Sequence, residues 1–453
     1  MKPRSVAVIG GGLAGCECAY ALAEAGVTVT VFEMKPERFS PAHGNANLAE
    51  LVCSNSFRSD AQDSAVGLLK EEMRQLGSLC MAVAQDTRVA AGKALAVDRE
   101  LFAARMTSKI MSHPAIRVER REVLSLDADG AEPAQPNLKN FDLVVAAVGP
   151  LASDSLTASL QRYTGERHLY FYDAIAPVVD GASINMHAAF WGSRYRPDEG
   201  DYLNCPMTRE EYTAFFKALL EGQTFSPHDF EEERHFEGCM PVEALARRGF
   251  KTLAFGPLKP VGFDDPRSGR RPFALLQLRP ENRNRSAFNL VGCQTKLTRS
   301  EQERIFRIIP GLEQAEFLRY GSMHRNTFVN APRVLAPDLS LLAAPHLYLA
   351  GQITGVEGYV ESAAVGLWLG IRLGAKAVGM EPASPPPETA MGALLGHLRL
   401  PAKRFQPSNV QFGLMPELGV GGGKADRKAM YVSRARNAFT AWLEQEGVRR
   451  SSK

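Results

Sequence analysis

The chain has 453 residues, of which 45% are hydrophobic and 23% are charged, a composition typical of an ordinary globular protein with two or three domains. Its net charge of +3 is too small to indicate nucleic-acid binding by itself. No apolar run reaches the roughly 18 residues that a membrane span needs, and the N-terminus has no signal-peptide pattern, so we expect a cytoplasmic protein without a membrane partner.

The first 33 residues predict a βαβ unit that binds a dinucleotide. A short apolar strand, "SVAVIG", leads into a turn in which Gly10, Gly12 and Gly15 have the GxGxxG spacing; a helix and a second strand ending at Glu33 follow. In such a unit the glycines let the backbone approach a pyrophosphate, and the acidic side chain accepts a hydrogen bond from a ribose hydroxyl. The alternative is a glycine-rich turn in an unrelated α/β unit.

The middle of the chain, residues 162–330, has polar loops between its apolar segments. Residues 247–285 include ten basic and three acidic residues, which gives this segment a local charge of +7. Four phenylalanines are interleaved with the basic residues: Phe250, Phe255, Phe263 and Phe273. The mixture is typical of a surface that grips phosphates and stacks bases, and a solvated face with phenylalanines in the core is an equally good interpretation.

Near the other end of the chain, the apolar strand in "HLYLAGQ" runs into a glycine-rich turn and a long helix. This arrangement resembles the two-part FAD site of the glutathione-reductase-like flavoproteins, and "FDLVVAAVGP" looks like the intermediate strand of that fold. The resemblance favours FAD over NAD(P) and implies that Gly351, Gln352 and Gly355 contact it. Gln352 departs from the pattern, because many such flavoproteins carry an aspartate there; an amide can still hydrogen-bond to the ribityl chain.

We therefore predict an α/β fold, namely a glutathione-reductase-like FAD-binding Rossmann fold with an inserted α/β domain. The expected units are residues 1–160 and 331–380 for the two parts of the FAD-binding domain and 161–330 for the inserted, substrate-binding domain. Residues 381–453 are expected to form a linker, which includes the proline-rich "MEPASPPPE", and a tail with a basic amphipathic helix.

Two of the seven cysteines lie in polar loops close to cations. Cys53, in "AELVCSNSFRSD", is near His43 and Arg58, and Cys239 lies in "HFEGCMPVEALARRG" ahead of a basic stretch. Neighbouring cations lower the pKa of a thiol and so raise its thiolate fraction. Cys205 is a third cysteine in a polar context. The remaining four are predicted to be small core residues: Cys16, Cys18, Cys80 and Cys293.

The spacing of the cysteines indicates free thiols in a reducing compartment. The sequence contains no CxxC pair and no metal-ligand spacing, so neither a disulfide framework nor a metal site is expected. On composition alone, Cys53 and Cys239 are equally well explained as reactive thiols or as two ordinary loop cysteines without a chemical role.

A flavin together with separated cysteines suits two kinds of chemistry. A disulfide reductase needs a closely spaced pair of cysteines, which this chain lacks. The other possibility is attack on a pyrimidine: C5 of uracil is a poor nucleophile until a thiolate adds at C6, after which C5 accepts a one-carbon unit. If that carbon arrives as a methylene, it must be reduced to become a methyl, and a reduced flavin supplies the two electrons.

Several long motifs carry a more specific resemblance. They include "GGGLAGCECAYALAEAGVTVTVFEMKP", "PAHGNANLAELVCSNSFRSD", "YLNCPMT", "FEGCMPVEALARRG", "RYGSMHRNTFVN" and "AGQITGVEGYVESAA", with "FQPSNVQFGLMPEL" in the tail. Together they closely resemble the folate- and FAD-dependent tRNA (uracil-5-)-methyltransferases, the TrmFO family, over almost the whole chain.

This resemblance implies methylation of C5 of uridine 54 in the T-loop of tRNA. The implied carbon donor is 5,10-methylenetetrahydrofolate, the reductant is reduced FAD, and the electrons come from NADH or NADPH. The family's two cysteines match Cys53 and Cys239. Either can be assigned as the nucleophile at C6; we favour Cys53, near the flavin, with Cys239 handling the C5 proton or protecting an intermediate.

Three alternatives remain from the sequence. A related flavin- and folate-dependent enzyme modifies the tRNA wobble uridine with a GTPase partner, but it has a longer C-terminal region than this chain. The other two are a non-methylating FAD- or RNA-binding protein and a simple FAD-dependent disulfide reductase. No obligate protein partner is evident from the sequence.

Overall fold

The computed structural model describes residues 3–127, 135–165, 169–194, 200–225, 240–402, 405–419 and 423–447. Within these ranges the strands are β1 (Ser5–Ile9), β2 (Thr28–Glu33), β3 (Ser56–Ser59), β4 (Arg88–Val89), β5 (Ala94–Val97), β6 (Ile116–Arg120), β7 (Leu143–Ala146), β8 (Leu169–Ala174), β9 (Val178–Asp180), β10 (Phe190–Gly192), β11 (Tyr202–Met207), β12 (Ala274–Pro280), β13 (Ala287–Leu290), β14 (Phe317–Arg319), β15 (Met323–Phe328), β16 (Ser340–Leu341) and β17 (Ala344–Leu349). The α-helices are α1 (Leu13–Glu24), α2 (Ala65–Gln75), α3 (Leu79–Asp86), α4 (Arg99–Met111), α5 (Asp154–Thr164), α6 (Arg209–Glu221), α7 (Val242–Arg247), α8 (Thr252–Phe255), α9 (Arg299–Phe306), α10 (Ala331–Val334), α11 (Tyr359–Ala377), α12 (Ala390–His397) and α13 (Lys424–Glu446).

The predicted βαβ unit forms the centre of a six-stranded sheet, which we call the nucleotide sheet. Its strand order is β16-β17-β7-β1-β2-β6, and every neighbouring pair except β16–β17 is parallel. The sequence "SVAVI" makes β1 an almost continuous apolar run, as expected for a strand covered on both faces. Because β17 pairs with β7, the two ends of the chain meet in this one sheet.

Helices α1 and α11 cover the nucleotide sheet and pack unusually closely. Three glycines on α11, spaced four residues apart, face α1: Gly366, Gly370 and Gly374. A Cβ at Gly366 would lie 2.2 Å from the carbonyl oxygen of Ala14, and one at Gly370 would lie 2.7 Å from that of Cys18. Any larger side chain on this stripe would therefore push the two helices apart.

A second sheet, the inserted sheet, is built from the middle of the chain. It is antiparallel, with the strand order β10-β11-β12-β13-β9-β14, and it shares a separate hydrophobic core with helices α6 to α9. A two-stranded ribbon of β8 and β15 lies where the chain enters and leaves this part of the structure. A small sheet of β3, β5 and β4 follows the loop that carries Cys53.

The C-terminal tail packs back onto the first part of the chain. The predicted amphipathic helix is α13, and it joins the core of the nucleotide-binding part through Trp442, whose ring lies 5.7 Å from that of Trp368. Arg436 on α13 makes a bidentate ion pair with Glu71 on α2, at 2.7 Å for the shortest contact. None of the described helices is long and apolar enough to cross a membrane.

Candidate active site

A cleft opens at the carboxyl ends of the parallel strands. Its wall is made by the turn 10–14 after β1, Glu33 at the end of β2, the segment 147–153 after β7, and Gly351 with Gln352 after β17. In open α/β sheets this edge is where ligands bind, since the loops that follow the strands converge there. Five of the sequence-predicted cofactor residues thus lie together although they come from both ends of the chain: Gly10, Gly12, Glu33, Gly351 and Gln352.

The glycine-rich turn fits a pyrophosphate group. Gly12 is the N-cap of α1, and no side chain in the described part of the chain caps that helix end, so its first backbone N–H groups are available to an anion. A Cβ at Gly12 would meet no atom within 4 Å, because this position faces the open cleft. A Cβ at Gly15 would lie 1.9 Å from the carbonyl oxygen of Gly10, so Gly15 serves close packing under the turn.

Glu33 lies buried at the other side of the cleft. Its carboxylate accepts hydrogen bonds from the backbone N–H of Gly11 at 2.8 Å and from that of Lys35 at 3.0 Å. These bonds fix the carboxylate in place, and because a carboxylate has about four lone-pair sites, it can still accept from a ribose hydroxyl. Glu33 thus lies in the wall of the cleft.

After β17 the chain turns through three positive-φ glycines, Gly351, Gly355 and Gly358. Gly351 and Gln352 line the cleft, whereas Gly355 packs against the ring of Phe405 and does not line it. The Nε2 group of Gln352 donates to the carboxyl group of Glu357 at 2.6 Å. This bond leaves the amide oxygen of Gln352 as the group that can still accept a hydrogen bond.

The loop of Cys53 is bound to the first residue of α11. The backbone N–H of Cys53 donates to the hydroxyl oxygen of Tyr359 at 2.7 Å, its thiol donates to the same oxygen at 2.9 Å, and Ser54 N–H lies at 3.3 Å. Tyr359 and Val52 both line the cleft. The thiol therefore lies next to the cleft, in contact with the Tyr359 side chain that lines it.

The expectation that cations depress the pKa of Cys53 is wrong for the free protein. Burial, together with the negative charges of Asp173 and Glu357, raises the pKa of Cys53 to about 12, against smaller lowering effects from Tyr359 and Arg99. The cation nearest in sequence, Arg58, is engaged elsewhere, in an ion pair with the buried Glu361. Cys53 is consequently a neutral thiol at neutral pH and needs a base to become a thiolate.

The other cysteines separate clearly by location. The four predicted core cysteines are buried, as expected: Cys16, Cys18, Cys80 and Cys293. Cys205, which had a polar context in the sequence, is also buried, on β11 of the inserted sheet. Cys239 lies outside the described residues, next to Met240, which precedes α7.

The Cys53 loop is also held by side chains that sequence reasoning did not single out. Arg99, the first residue of α4, donates to the carbonyl oxygen of Leu51 at 2.7 Å and pairs with Glu281, which directly follows β12, at 2.7 Å. Arg279 and Arg319 reach the same loop from the inserted sheet. Up to 306 residues separate bonded partners here, as with Cys53 and Tyr359, so no local spacing could have revealed them.

The basic segment 247–285 is only partly the surface predicted from its sequence. Phe263 is buried, and Phe250 and Phe273 pack with the ring of Tyr212 in the core of the inserted part. Only Phe255, among these four phenylalanines, is exposed, with 77% of its surface accessible. Stacking of bases by the segment is thus limited to one ring, while the exposed side chains of Arg270 and Arg271 still offer phosphate contacts.

Comparison with known proteins identifies close relatives. A family model described as Glucose inhibited division protein A matches residues 5–381. Three proteins named "Methylenetetrahydrofolate--tRNA-(uracil-5-)-methyltransferase TrmFO" are similar over nearly the whole chain. The protein of Oleidesulfovibrio alaskensis is 63% identical over 97% of each chain. Those of Lawsonia intracellularis and Geobacter sulfurreducens are each 54% identical, over 98% and 97% of this chain and 99% of theirs.

Among solved structures, Aquifex aeolicus GidA in its form II crystal superposes with a TM-score of 0.67. The superposition covers 98% of this chain and 75% of that chain at 17% sequence identity. At this identity the likeness supports the fold alone, and it confirms the α/β fold predicted from the sequence.

Proposed function

This chain belongs to the glucose inhibited division protein A family and, within it, to the TrmFO tRNA (uracil-5-)-methyltransferases, and from this we infer that it methylates C5 of uridine in tRNA with 5,10-methylenetetrahydrofolate as the carbon donor. The observation that carries this conclusion is the full-length identity of 63% to a protein of that name, joined to a dinucleotide cleft with a cysteine at its edge. We further propose, from the family resemblance, that the target is uridine 54 of the T-loop.

The cleft suits FAD as the cofactor. Gly10 and Gly12 with the uncapped start of α1 are proposed to bind its pyrophosphate, Glu33 its ribose, and Gly351 and Gln352 its flavin side. Bound FAD, once reduced by NADH or NADPH, supplies the two electrons that convert a methylene group into a methyl group. Gly15 and Gly355 are proposed to support the site by close packing against neighbouring residues, without touching the cofactor.

We propose that the two cysteines have different tasks at the uracil ring. One thiolate adds to C6, which makes C5 nucleophilic towards the methylene carbon; a base then removes the C5 proton, and the thiolate leaves C6 as the methyl group is completed. From the sequence alone, Cys53 is favoured as the nucleophile and Cys239 as the group that handles the C5 proton. The raised pKa of Cys53 favours the reverse assignment. A thiol with a raised pKa supplies little thiolate for attack at C6, which favours Cys239 as the nucleophile; Cys53 can take the C5 proton only after it has given up its own proton to another base.

The division of the chain expected from the sequence remains our proposal: residues 1–160 and 331–380 for FAD, 161–330 for tRNA, and 381–453 for linker and tail. Its support is the pairing of β7 with β17 and the separate core of the inserted sheet. A cytoplasmic location is likewise a proposal, supported by the tRNA substrate and by the free cysteines of the described residues.

The function is tested with purified protein, tRNA lacking 5-methyluridine, carbon-labelled methylenetetrahydrofolate and NADH or NADPH. The tRNA is then digested and its nucleosides are identified by mass. Labelled 5-methyluridine that maps to the T-loop is the expected result. RNA without label, from protein that binds FAD and is reduced, would refute the methyltransferase assignment and leave the fold assignment standing.

Replacing both Arg270 and Arg271 with alanine is expected to weaken tRNA binding. Each lost phosphate contact lowers the slope of log K against log salt by about 0.9, so the double variant should lose nearly two units of slope and about tenfold in affinity at low salt. The measurement is tRNA binding across a salt series, with FAD content as the check on folding. A matched control is Arg304→Ala with Arg307→Ala on and beside α9, where both side chains pair with acidic neighbours. An unaltered salt slope in Arg270→Ala/Arg271→Ala would remove these residues from the tRNA surface.

A further inference from the structure

The loop that carries Cys53 is held by the inserted sheet as well as by the nucleotide-binding part. Arg279 on β12 donates from Nε to the side-chain oxygen of Asn55 at 2.7 Å, and Arg319, the last residue of β14, donates to the carbonyl oxygen of Val52. Val52 precedes Cys53 directly and Asn55 follows it by two residues. The inserted sheet therefore forms hydrogen bonds with the loop both before and after the thiol.

Asn55 provides most of the hydrogen bonds that join the part of the Cys53 loop after the thiol to its surroundings. Its side chain is fully buried, and its Nδ2 group donates to the carbonyl oxygens of Val97 and Pro280, both at 2.9 Å. With the bond from Arg279, all the hydrogen-bonding groups of the amide, apart from a second lone pair, are used. One side chain thus ties the Cys53 loop to β5 of the small sheet and to β12 of the inserted sheet, and the bonds to β12 are lost if the inserted sheet is displaced.

The charged groups around Cys53 are also divided between the two parts of the structure. Asp173 on β8 and Glu357 before α11 raise the pKa of the thiol, and the hydroxyl oxygen of Tyr359 accepts a hydrogen bond from it. The cations that interact with the sulfur are Arg99 on α4, Arg279 and Arg319. Arg99, which is paired with Glu281, is the cation that lowers the pKa of Cys53 most, and Arg279 and Arg319 act on the sulfur from the inserted sheet.

We propose that Arg279 and Arg319 are positioning residues through which the inserted sheet sets both the place and the reactivity of the Cys53 sulfur. The thiol then has its reactive position only when the inserted sheet is in contact with the nucleotide-binding part. The part of the chain that is proposed to bind tRNA therefore also sets the position and reactivity of Cys53. The catalytic consequence rests on the proposed function, whereas the reactivity of the thiol is measurable without any tRNA.

The test is alkylation of Cys53 by iodoacetamide in the FAD-bound protein over a range of alkaline pH. Trypsin releases Cys53 in the peptide 39–58, which contains no other cysteine, so mass spectrometry follows this thiol alone. The variants are Arg279→Met, Arg319→Met and Arg279→Lys. The control is Arg307→Met, because Arg307 also donates to a backbone carbonyl, that of Ala315, but does not touch the loop.

Both methionine variants are expected to shift the alkylation profile to higher pH by about one unit, which is about tenfold slower alkylation at a given pH below the pKa. Their single-turnover methylation rate should fall by about tenfold or more, while the KM for tRNA stays within about twofold. Arg307→Met should match the wild type in both measurements. Arg279→Lys keeps the charge but loses the forked geometry, so its alkylation profile should stay close to wild type while methylation falls.

Alkylation profiles of Arg279→Met and Arg319→Met that superpose on the wild type would overturn the proposal, even if methylation fell. If Arg279→Met does not fold, because it leaves the buried side-chain oxygen of Asn55 without its donor, Arg319→Met and Arg279→Lys decide the question in the same way. A wild-type protein that forms no 5-methyluridine would refute the proposed function and leave the alkylation result to be judged by itself.

Discussion

Replacing Cys239 with alanine is expected to lower the rate of tRNA methylation by at least about a thousandfold while FAD stays bound. The reason is that uracil C5 reacts only after a thiolate has added to C6, and the variant lacks the thiol that we propose to form this bond. The measurement is labelled methyl transfer to tRNA, with the flavin absorbance of the same sample as the check on folding. Full activity would remove Cys239 from the mechanism.

Cys53→Ala is the companion variant, and it separates the roles of the two thiols. If Cys239 is the nucleophile, Cys53→Ala should still form a covalent adduct with tRNA carrying 5-fluorouridine, because addition at C6 does not require loss of the group at C5. Cys239→Ala should form none. The opposite pattern would restore Cys53 as the nucleophile. Cys293→Ala, a buried thiol of the inserted part, serves as the control and should methylate normally.

Replacing Gly12 with valine is expected to leave the chain folded and to weaken FAD binding by roughly a hundredfold, or about 2.7 kcal/mol. The backbone of Gly12 has an extended conformation that any residue adopts, and its Cβ position is open, so the protein itself accommodates the side chain. The isopropyl group, however, fills the space through which a pyrophosphate approaches the start of α1. The measurements are the flavin-to-protein absorbance ratio, the Kd for FAD and the Tm.

Two other glycine variants serve as controls for the Gly12→Val prediction, one expected to destabilise the fold and one expected to be harmless. Gly15→Ala puts a Cβ 1.9 Å from the carbonyl oxygen of Gly10, so it should lower the Tm whether or not FAD is present. Gly396→Ala, in open space on α12, should keep FAD and raise the stability by up to about 1 kcal/mol. A Gly12→Val protein that purifies with a full complement of FAD would exclude the turn from the pyrophosphate site.

The nucleotide-binding unit could be predicted from sequence because its determinants are local. Strand, turn, helix and second strand follow one another within 33 residues, so the GxGxxG spacing and the position of Glu33 define the unit by themselves. The return of the chain through β17 and α11 was also predictable, since a glycine-rich turn between an apolar strand and a long helix is visible in the sequence.

The electrostatic environment of Cys53 could not be predicted in the same way. The nearby residues Arg58 and His43 suggested an activated thiol, but Arg58 pairs with Glu361 and His43 bonds to Ser40. The groups that set the pKa of Cys53, such as Asp173, come from distant parts of the chain. The interleaved phenylalanines misled for a related reason: sequence spacing does not tell a ring in the core from one on the surface, and three of the four pack inwards.

The pairing of β7 with β17 has a consequence for how the protein is made. The paired residues Val144 and Leu347 are about 200 residues apart, which a ribosome needs on the order of 10–40 s to synthesise at roughly 5–20 residues per second. During that time β7 is an unpaired sheet edge, and the glycine stripe of α11 has not yet been made. The inserted sheet is complete once Arg319 has emerged, so it is available to fold first. The half-built nucleotide sheet is therefore the species that the cell must protect from aggregation during translation.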